Sequence, residues 1–359
     1  MSHIYGSQTP LLNMEVKSFF NADRGITSMK RIGLAILSRA HLYSQITIDQ
    51  ACKNPNAEVV AVWDEDPIRG KQEAERLNVP FYEDLVDILA LDTVQAVVNN
   101  SPTYLHPQVL IYSAKAGKHI FTEKPLAITV EDADMIKEAV EKAGVKFMIS
   151  LPSRTLPEIL FARQALDQGL LGEITAIHAR VAYQAALEKW FLRDGITWFG
   201  DEKMAGGGAF FDLGCHGVDM LRWFLGEPAR VVALKNNYSK TYEVEDHMSA
   251  IIEFRKKAIG VIEASWLEEY GQTPFEIYGT KGALTLSSPS AEVYIHTKFF
   301  KGNIEHNNLP VASPSPVDQW LESILYDKDT STILQDAWNL TQLLEACYTA
   351  ARTGIEVRL

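Results

Sequence analysis

A lysine, an aspartate and a histidine in two short motifs are the residues best suited to chemistry in this sequence. Lys124 follows an apolar run in "GKHIFTEKPLAIT", so it leaves the end of a predicted buried strand and points into a cleft. Asp212 and His216 in "GGGAFFDLGCHGVDMLRWFLG" are four residues apart and share one face of a predicted helix. A carboxylate that orients an imidazole is a common acid–base arrangement, so these motifs predict proton-transfer chemistry.

Each of these residues also has a purely structural interpretation. Lys124 could end its strand in a salt bridge, while Asp212 and His216 could be a capping aspartate and a core histidine. The same pair could be two ligands of a metal, but the neighbouring sequence offers no third ligand, and we predict no metal site. The glycine run 206–208 would let the chain pass close to a ligand.

Short, continuous apolar runs alternate with helical patterns in the first part of the chain. Such runs are typical of parallel strands that are covered on both faces. Thr129 can cap a helix that Gly144 ends. The order of elements predicts a doubly wound, parallel Rossmann sheet over residues 29–151. The predicted strands are 30–37, 57–64, 93–100, 118–123 and 145–150.

After Arg154, strand patterns follow one another with few helices between them. This order predicts an α+β domain over residues 152–359, with a large, mostly antiparallel open sheet whose free face meets solvent or a second subunit. Two amphipathic helices at the end can pack back on the first domain. The predicted fold class is therefore α/β with two domains and a cleft between them, preceded by an extension of unknown role over residues 1–28. The predicted strands are 174–184, 229–237, 247–254, 259–267, 275–280 and 282–288.

The first turn of the predicted Rossmann sheet lacks the glycines that usually receive a pyrophosphate. In "RIGLAILSRAHLYSQ", Ile36, Ser38 and His41 stand where the three glycines of G-x-G-x-x-G would be. We therefore expect side chains to replace the backbone contacts to phosphate. A hydroxyl, a guanidinium or an imidazole can do so, and they are offered by Ser38, Arg39, His41 and Ser44.

Other cofactor contacts are predicted at the ends of the second, third and fourth strands of the predicted Rossmann sheet. Asp64 can accept both hydroxyls of the adenosine ribose and would repel a 2′-phosphate, which favours NAD over NADP. Alternatively Asp64 caps the next helix, for which Asp66 is the better candidate. The segment after the third strand could face the ligand with its helix N-terminus, although caps explain Ser101 or Thr103 equally well. The candidates there and beside the lysine are Ser101, Pro102, Thr103, His106, Glu123 and Lys124.

Composition narrows the function class. The chain of 359 residues has a formal net charge of −12, which argues against a nucleic acid or an anionic membrane as partner. No apolar stretch approaches the roughly 18 residues of a membrane span. The sequence has three cysteines far apart from one another, Cys52, Cys215 and Cys347. We therefore expect neither disulfides nor a zinc site, and we expect the protein to lie in a reducing cytoplasm. Small-molecule chemistry is the default expectation.

The segments "AGKHIFTEKPLAIT" and "AGGGAFFDLGCHGVDMLRWFLGEP" resemble the glucose-fructose oxidoreductase, inositol dehydrogenase and MocA family, and the resemblance covers Lys30 to Leu359. It implies a catalytic set of Lys124, Asp212 and His216, NAD or NADP as cofactor, and sugars, polyols or their derivatives as substrates. In the implied reaction a hydride leaves the carbinol carbon while His216 takes the hydroxyl proton. Lys124 would stabilise the alkoxide, and Asp212 would orient His216 or bind a neighbouring hydroxyl.

Aromatic faces and planar donors suit sugar rings and acids, although ordinary packing explains the same residues. The candidates for the substrate pocket are Arg154, Tyr183, Trp190, Arg193 and Trp198. Two other functions remain open at this point: a glycosidase of the same fold that retains NAD, and a non-catalytic sensor of sugars or nucleotides. We also expect a homodimer or homotetramer formed through the antiparallel sheet.

Overall fold

Six parallel strands form a sheet in the spatial order β3-β2-β1-β4-β5-β6. The computed structural model describes residues 31–268, 273–288 and 292–359, so the predicted extension over residues 1–28 lies outside the described residues. The strand order is that of a doubly wound Rossmann sheet, and this prediction is confirmed. The strands are β1 (Ile32–Leu37), β2 (Ala57–Trp63), β3 (Phe81–Tyr82), β4 (Ala96–Asn99), β5 (His119–Thr122) and β6 (Phe147–Ile149).

Local sequence signals fix the helices that connect these strands. Thr129 caps a helix through the amide of Asp132, and Gly144 ends it with a φ of 65°. Asp66, not Asp64, caps the helix after β2, because its carboxylate accepts the amides of Ile68 and Arg69. The helices are α1 (Ser44–Lys53), α2 (Pro67–Leu77), α3 (Leu85–Leu89), α4 (His106–Lys115) and α5 (Val130–Ala143).

The rest of the described chain contributes a nine-stranded sheet in the order β14-β13-β12-β11-β7-β10-β9-β8-β15. Neighbouring strands are antiparallel except β7 and β10, which pair in parallel. The mostly antiparallel sheet is therefore confirmed. The strands are β7 (Ile174–Ala182), β8 (Pro228–Asn236), β9 (His247–Phe254), β10 (Ile259–Ser265), β11 (Thr273–Gly279), β12 (Gly282–Ser288), β13 (Glu292–Thr297), β14 (Lys301–Ile304) and β15 (Val357–Arg358).

Helices cover one face of the nine-stranded sheet. Both of the last two helices also pack against the six-stranded sheet. Trp320 in the first of them meets Phe121 with ring centroids 5.7 Å apart, and the second contacts β6. Residues 31–359 form one unit, and the division into domains at residue 151 stays a prediction. The helices are α6 (Pro157–Asp167), α7 (Trp190–Arg193), α8 (Glu202–Ala205), α9 (Cys215–Leu225), α10 (Pro316–Leu325) and α11 (Ser331–Thr353).

A π-helical turn over Phe210–Gly214 leads directly into α9. Such turns are rare in proteins overall, and those that occur are often found at functional sites. The glycines before it serve packing: a Cβ on Gly207 would lie 2.1 Å from the hydroxyl of Tyr348, and one on Gly208 would lie 1.9 Å from the carbonyl of Glu245. The structure thus gives these glycines a packing reason, and a close approach of this segment to a ligand stays a prediction. Within the described residues, no helix is both long and apolar enough to cross a membrane.

Candidate active site

Lys124 and Asp212 meet in a buried ion pair between the two sheets. Lys124 follows β5, and Asp212 lies in the π-helical turn before α9. The ammonium Nζ donates to the Asp212 carboxylate Oδ1 at 3.0 Å and to the Asp212 carbonyl at 2.6 Å. Because both side chains are almost fully buried, solvent screens this pair little.

Two further donors complete the environment of the Asp212 carboxylate. Tyr183 donates its hydroxyl to Oδ2, and the indole nitrogen of Trp266 donates to the same oxygen at 3.2 Å. Burial raises the pKa of Asp212, but Lys124 and Tyr183 outweigh burial and the net pKa is lowered. Burial likewise lowers the pKa of Lys124, but the Asp212 charge dominates and the net pKa is raised. Lys124 is therefore an ammonium and Asp212 a carboxylate at neutral pH.

His216 lies beside this pair, one turn along the helix. In the described part of the chain its Nδ1 is buried without a hydrogen-bond partner, and Asp212 bonds to Lys124, Tyr183 and Trp266 instead. The expectation that Asp212 orients His216 through a hydrogen bond is therefore not met, because the ammonium and two neutral donors occupy the carboxylate. Burial and the Lys124 charge lower the pKa of His216 to about 3, so the imidazole is neutral at physiological pH.

A cavity of about 480 Å³ opens from these three residues. Its volume falls in the range of roughly 300–1,000 Å³ that is usual for small-molecule sites. Lys124, Asp212 and His216 line this cavity, and so do Glu123 and Thr47. The carboxylate Oε1 of Glu123 accepts the Thr47 hydroxyl at 2.8 Å, and burial raises the pKa of Glu123.

Four backbone amides of the β1–α1 turn already donate hydrogen bonds within the protein. Ser38 adopts a left-handed φ of 71°, a strain of about 1–2 kcal/mol for a residue other than glycine. The amide of Arg39 donates to Asp64 Oδ2, and the amide of Ala40 donates to the Ser38 hydroxyl. The amides of Ser38 and His41 donate to backbone carbonyls. This conformation leaves those four amides unavailable to a phosphate, as expected for a turn that departs from the glycine pattern.

The side chains of the turn differ in accessibility. The guanidinium of Arg39 is 39% exposed and lies 3.6 Å from Glu73. Ser38 and Ser44 are buried, and Ser44 donates to the Arg39 carbonyl at 3.4 Å. His41 is buried beside Phe199, and burial together with the Lys124 charge holds its pKa well below the usual value.

Asp64 lies at the end of β2 as predicted, but an arginine covers its carboxylate. Arg69 donates through Nε to Oδ2 at 2.9 Å and through a terminal nitrogen to Oδ1 at 2.6 Å. The amides of Arg39 and Asp66 also donate to this carboxylate. A ribose would therefore have to displace or share these donors.

The residues after β4 are mostly engaged in local structure. The Ser101 hydroxyl donates to Asn99 at 2.8 Å, and both ring nitrogens of His106 lie 3.1 Å from backbone carbonyls. Pro102 and Thr103 are buried at the start of a 3₁₀ turn, and Thr103 lies with Lys124 around a second, smaller cavity. Within this segment, Thr103 is the residue that lines a cavity together with Lys124.

Unpaired buried polar atoms mark where a dinucleotide would lie. His41 Nε2 follows β1, Glu65 Oε2 follows β2, and Asn100 Oδ1 follows β4; each is buried and lacks a hydrogen-bond partner within the described chain. A buried polar atom without a partner is costly, so an outside ligand is expected to supply one. The carboxyl edge of adjacent strands is where dinucleotides bind in doubly wound sheets, and these residues fit such a group.

The structure brings the three aromatic residues of the five predicted for the pocket close to the proposed catalytic residues. Tyr183 bonds to Asp212, and Trp190 stacks on Tyr183 with centroids 4.8 Å apart. Trp198 bonds to the β1–α1 turn and lies with Lys124 and Asp212 around the smaller cavity. Arg154 is held by Asp219 and Asp336 at 2.5 and 2.6 Å, and the exposed Arg193 pairs with Glu188 and Asp194. Both arginines therefore have structural partners, and the predicted pocket role of all five residues stays a prediction.

Two residues of the site carry weak sequence signals. Trp266 follows β10 in a stretch that was predicted only as a strand, and its partner Asp212 is 54 residues away. Thr47 lies in α1, where nothing local distinguishes it from a surface threonine. Its partner Glu123 stands next to the predicted lysine, and this adjacency was the available hint.

A Rossmann sheet with a buried lysine at the end of β5, facing a carboxylate and a histidine of a second sheet domain, defines a class of dinucleotide-dependent oxidoreductases. Two family models match the chain: "Oxidoreductase family, NAD-binding Rossmann fold" over residues 32–151 and "GFO/IDH/MocA C-terminal domain" over residues 159–285. Together they span more than half of the sequence. The chain belongs to the GFO/IDH/MocA oxidoreductase family, which confirms the resemblance and NAD as the family's cofactor.

Individual relatives agree with this assignment. The scyllo-inositol 2-dehydrogenase (NAD(+)) of Bacillus subtilis is 28% identical over 266 residues, 72% of each chain. The D-apiose dehydrogenase of Paraburkholderia graminis is 25% identical over 364 residues, 93% of this chain and 91% of the relative. The crystal structure of GenD2 from gentamicin A biosynthesis, in complex with NAD, has a TM-score of 0.78 at 25% identity and covers 95% of this chain and 99% of that one.

Proposed function

We propose that this protein transfers a hydride between NAD and a hydroxyl-bearing carbon of a sugar, polyol or sugar acid. The observation that carries the proposal is the buried ammonium of Lys124, fixed by Asp212 at the end of a cavity that also reaches the neutral His216. NAD, when bound, supplies the hydride acceptor. The substrates named for the relatives, an inositol and apiose, support a sugar or polyol as the second reactant.

Each residue of the set has a distinct role in this proposal. Lys124 donates a hydrogen bond from Nζ to the reacting oxygen and stabilises its alkoxide character. His216, being neutral, can accept the hydroxyl proton on its imidazole as the carbinol is oxidised to a carbonyl. Because its pKa is about 3, the imidazole is a weak base, and the Lys124 ammonium must lower the pKa of the bound hydroxyl for the proton to reach it. Asp212 acts as a positioning residue, since it holds the Lys124 ammonium and keeps it charged.

The charges after β2 favour NAD over NADP in this proposal. Asp64, Glu65 and Asp66 are consecutive, and Arg69 is already paired with the first two. The Arg39 guanidinium is close to Glu73. A 2′-phosphate would meet this carboxylate cluster and be repelled, whereas ribose hydroxyls could donate to it.

The outer face of the nine-stranded sheet supports an oligomer. Apolar side chains there are exposed, among them Val232, Leu234, Ile251 and Ile259. Large exposed apolar patches usually mark protein interfaces, and a second copy of the sheet would cover this one in a homodimer or homotetramer. The three cysteines are unpaired, which supports a reducing cytoplasmic location.

A dehydrogenase panel tests the function. Polyols, aldoses and sugar acids are offered with NAD while the absorbance of reduced nicotinamide is followed, with Lys124→Ala and His216→Ala as controls. We expect turnover with at least one compound and a loss of at least about a hundredfold in each variant. Binding of NAD without turnover of any compound would instead favour a non-catalytic sensor.

A further inference from the structure

The lining of the cavity is mainly apolar, although it includes the proposed catalytic residues. Lys124, Asp212 and His216 line it together with Glu123. Apolar side chains from six separate elements form much of the remaining wall: Ile46, Phe121, Ile159, Met220, Phe275 and Leu286.

Both cations in the wall are paired within the protein, Lys124 with Asp212 and Arg180 with two glutamates, while Glu158 adds a negative charge. Arg180 lies in the wall, but it pairs with Glu263 at 3.0 Å and Glu268 at 2.9 Å. It is therefore a poor partner for an acidic substrate group. Sugar hydroxyls placed against apolar side chains would lose hydrogen bonds to water without gaining others, which is unfavourable.

From this mainly apolar lining we propose that the substrate is a glycoside, or a polyol derivative, that carries an aliphatic or aromatic group. The inference rests on the proposed function, since the sugar hydroxyl is placed at Lys124 and His216. The apolar group lies along Ile159, Met220 and Leu286, which are almost completely buried in the wall. At the cavity mouth, Ile46 and Leu156 are 56% and 41% exposed, so a longer group can extend along them toward solvent.

A homologous series of alkyl glycosides tests this inference. The glycone that the dehydrogenase panel identifies is prepared as methyl, butyl, hexyl and octyl glycosides, used below the concentration at which micelles form. We expect kcat/KM to rise by up to about fourfold for each added methylene until the cavity is filled, and at least tenfold from methyl to octyl. If the sugar is oxidised but kcat/KM is flat or falls with chain length, the inference is wrong while the proposed function stands.

Binding provides a readout that does not depend on turnover. Isothermal titration compares octyl and methyl β-D-glucoside on the full chain with NAD present. At least tenfold tighter binding of the octyl compound supports the inference even if the panel finds no oxidised sugar. Equal binding of the two compounds would overturn it.

A matched pair of variants locates the apolar group. Ile46→Gln changes an exposed helix residue at the cavity mouth, and Ile68→Gln changes one that is 72% exposed on α2, away from the cavity. We expect Ile46→Gln to reduce the octyl-to-methyl ratio by about threefold or more and Ile68→Gln to leave it unchanged. An unchanged ratio in Ile46→Gln, together with a smaller oligomer by light scattering, would assign this apolar rim to a subunit interface and overturn the inference.

Discussion

The indole nitrogen of Trp198 donates a hydrogen bond of 2.9 Å to the carbonyl of Ala40, so the chain segment before α8 is tied to the β1–α1 turn. Both residues are buried, and Trp198 also stacks on Phe199 with ring centroids 4.0 Å apart. The bond links the turn where a pyrophosphate is expected to the segment that leads to Asp212. Cofactor binding at the turn is therefore physically connected to the conformation of the segment that leads to Asp212.

Loss of this bond should destabilise the protein. Trp198→Phe leaves the buried carbonyl of Ala40 without its donor, and we expect the free energy of unfolding to fall by about 1–3 kcal/mol. Urea unfolding followed by circular dichroism measures this change. Trp190→Phe is the control, because its indole bonds to the exposed Glu188, and it should cost less than about 1 kcal/mol. Equal effects in the two variants would contradict the importance of the Trp198 bond.

The Lys124–Asp212 pair should contribute stability only within a defined pH range. Asp212 has a lowered pKa, so its contribution is present above the unfolded pKa of about 3.9 and is lost as pH falls. Lys124 has a raised pKa, so its contribution is present below about 10.4 and is lost as pH rises. Lys124→Met leaves a buried carboxylate without its cation and should cost about 3–5 kcal/mol at pH 7.

The same variant separates stability from catalysis when it is studied below its unfolding transition. Its kcat should fall by about 10²–10³, because the reacting oxygen loses its donor. Lys146→Met is the matched control, since Lys146 pairs with the largely exposed Asp327 and should change stability by less than about 1 kcal/mol. A Lys124→Met protein with full activity would remove the lysine from the proposed catalytic set.

Three buried histidines predict a loss of stability in mild acid. Burial lowers the pKa of His41 well below its usual value, that of His106 to about 4 and that of His216 to about 3. Because these groups protonate more readily in the unfolded chain, stability falls as pH drops below the unfolded pKa of about 6.5. Between pH 7 and pH 5, His106 and His216 should each cost about 2 kcal/mol, and His41 acts in the same direction.

Urea unfolding at several pH values measures this dependence. In His216→Asn, the free energy of unfolding should fall less between pH 7 and pH 5, by the contribution of one histidine. A wild-type curve that is flat in this window would show that the buried histidines are not held neutral.

The side chains of the glycine-poor turn should hold NAD. Arg39 offers a guanidinium beside the turn, and His41 offers a buried Nε2 without a partner in the described chain. We expect Arg39→Ala and His41→Ala each to weaken NAD binding by about tenfold, measured by titration of the free enzyme. Arg76→Ala is the control, because Arg76 also pairs with Glu73 but lies at the end of α2. Unchanged affinity in both turn variants would mean that the phosphates bind elsewhere.

The sequence predicted the elements far better than it predicted the partners of the catalytic side chains. Buried parallel strands are continuous apolar runs, so β1, β2 and β4 to β6 could be located, whereas β3 has only two residues and was missed. Lys124 and Asp212 were identified as catalytic candidates, but their ion pair joins residues 88 apart in the chain. Tyr183 and Trp266 reach the same carboxylate from separate strands, and no local pattern reveals which donors will saturate it.

Some partners were within reach of local reasoning. Arg69 lies five residues after Asp64, close enough to cover the carboxylate from the first turn of α2. Arg154 was predicted in the pocket because of its planar donors, but two distant aspartates, Asp219 and Asp336, hold it. Charge pairing over long sequence distances thus decided which arginines remain available for a ligand.

Asp64 should set the choice between NAD and NADP through the arginine that it holds. Asp64→Asn removes one negative charge and leaves the Arg69 guanidinium paired with Glu65 alone, so that it can also bind a 2′-phosphate. We expect the ratio of the NADP to the NAD dissociation constant to fall by about tenfold, measured by fluorescence titration with the reduced cofactors. Adding Arg69→Ala to this variant should restore the preference for NAD. If Asp64→Asn leaves the ratio unchanged, the carboxylate cluster does not select the cofactor.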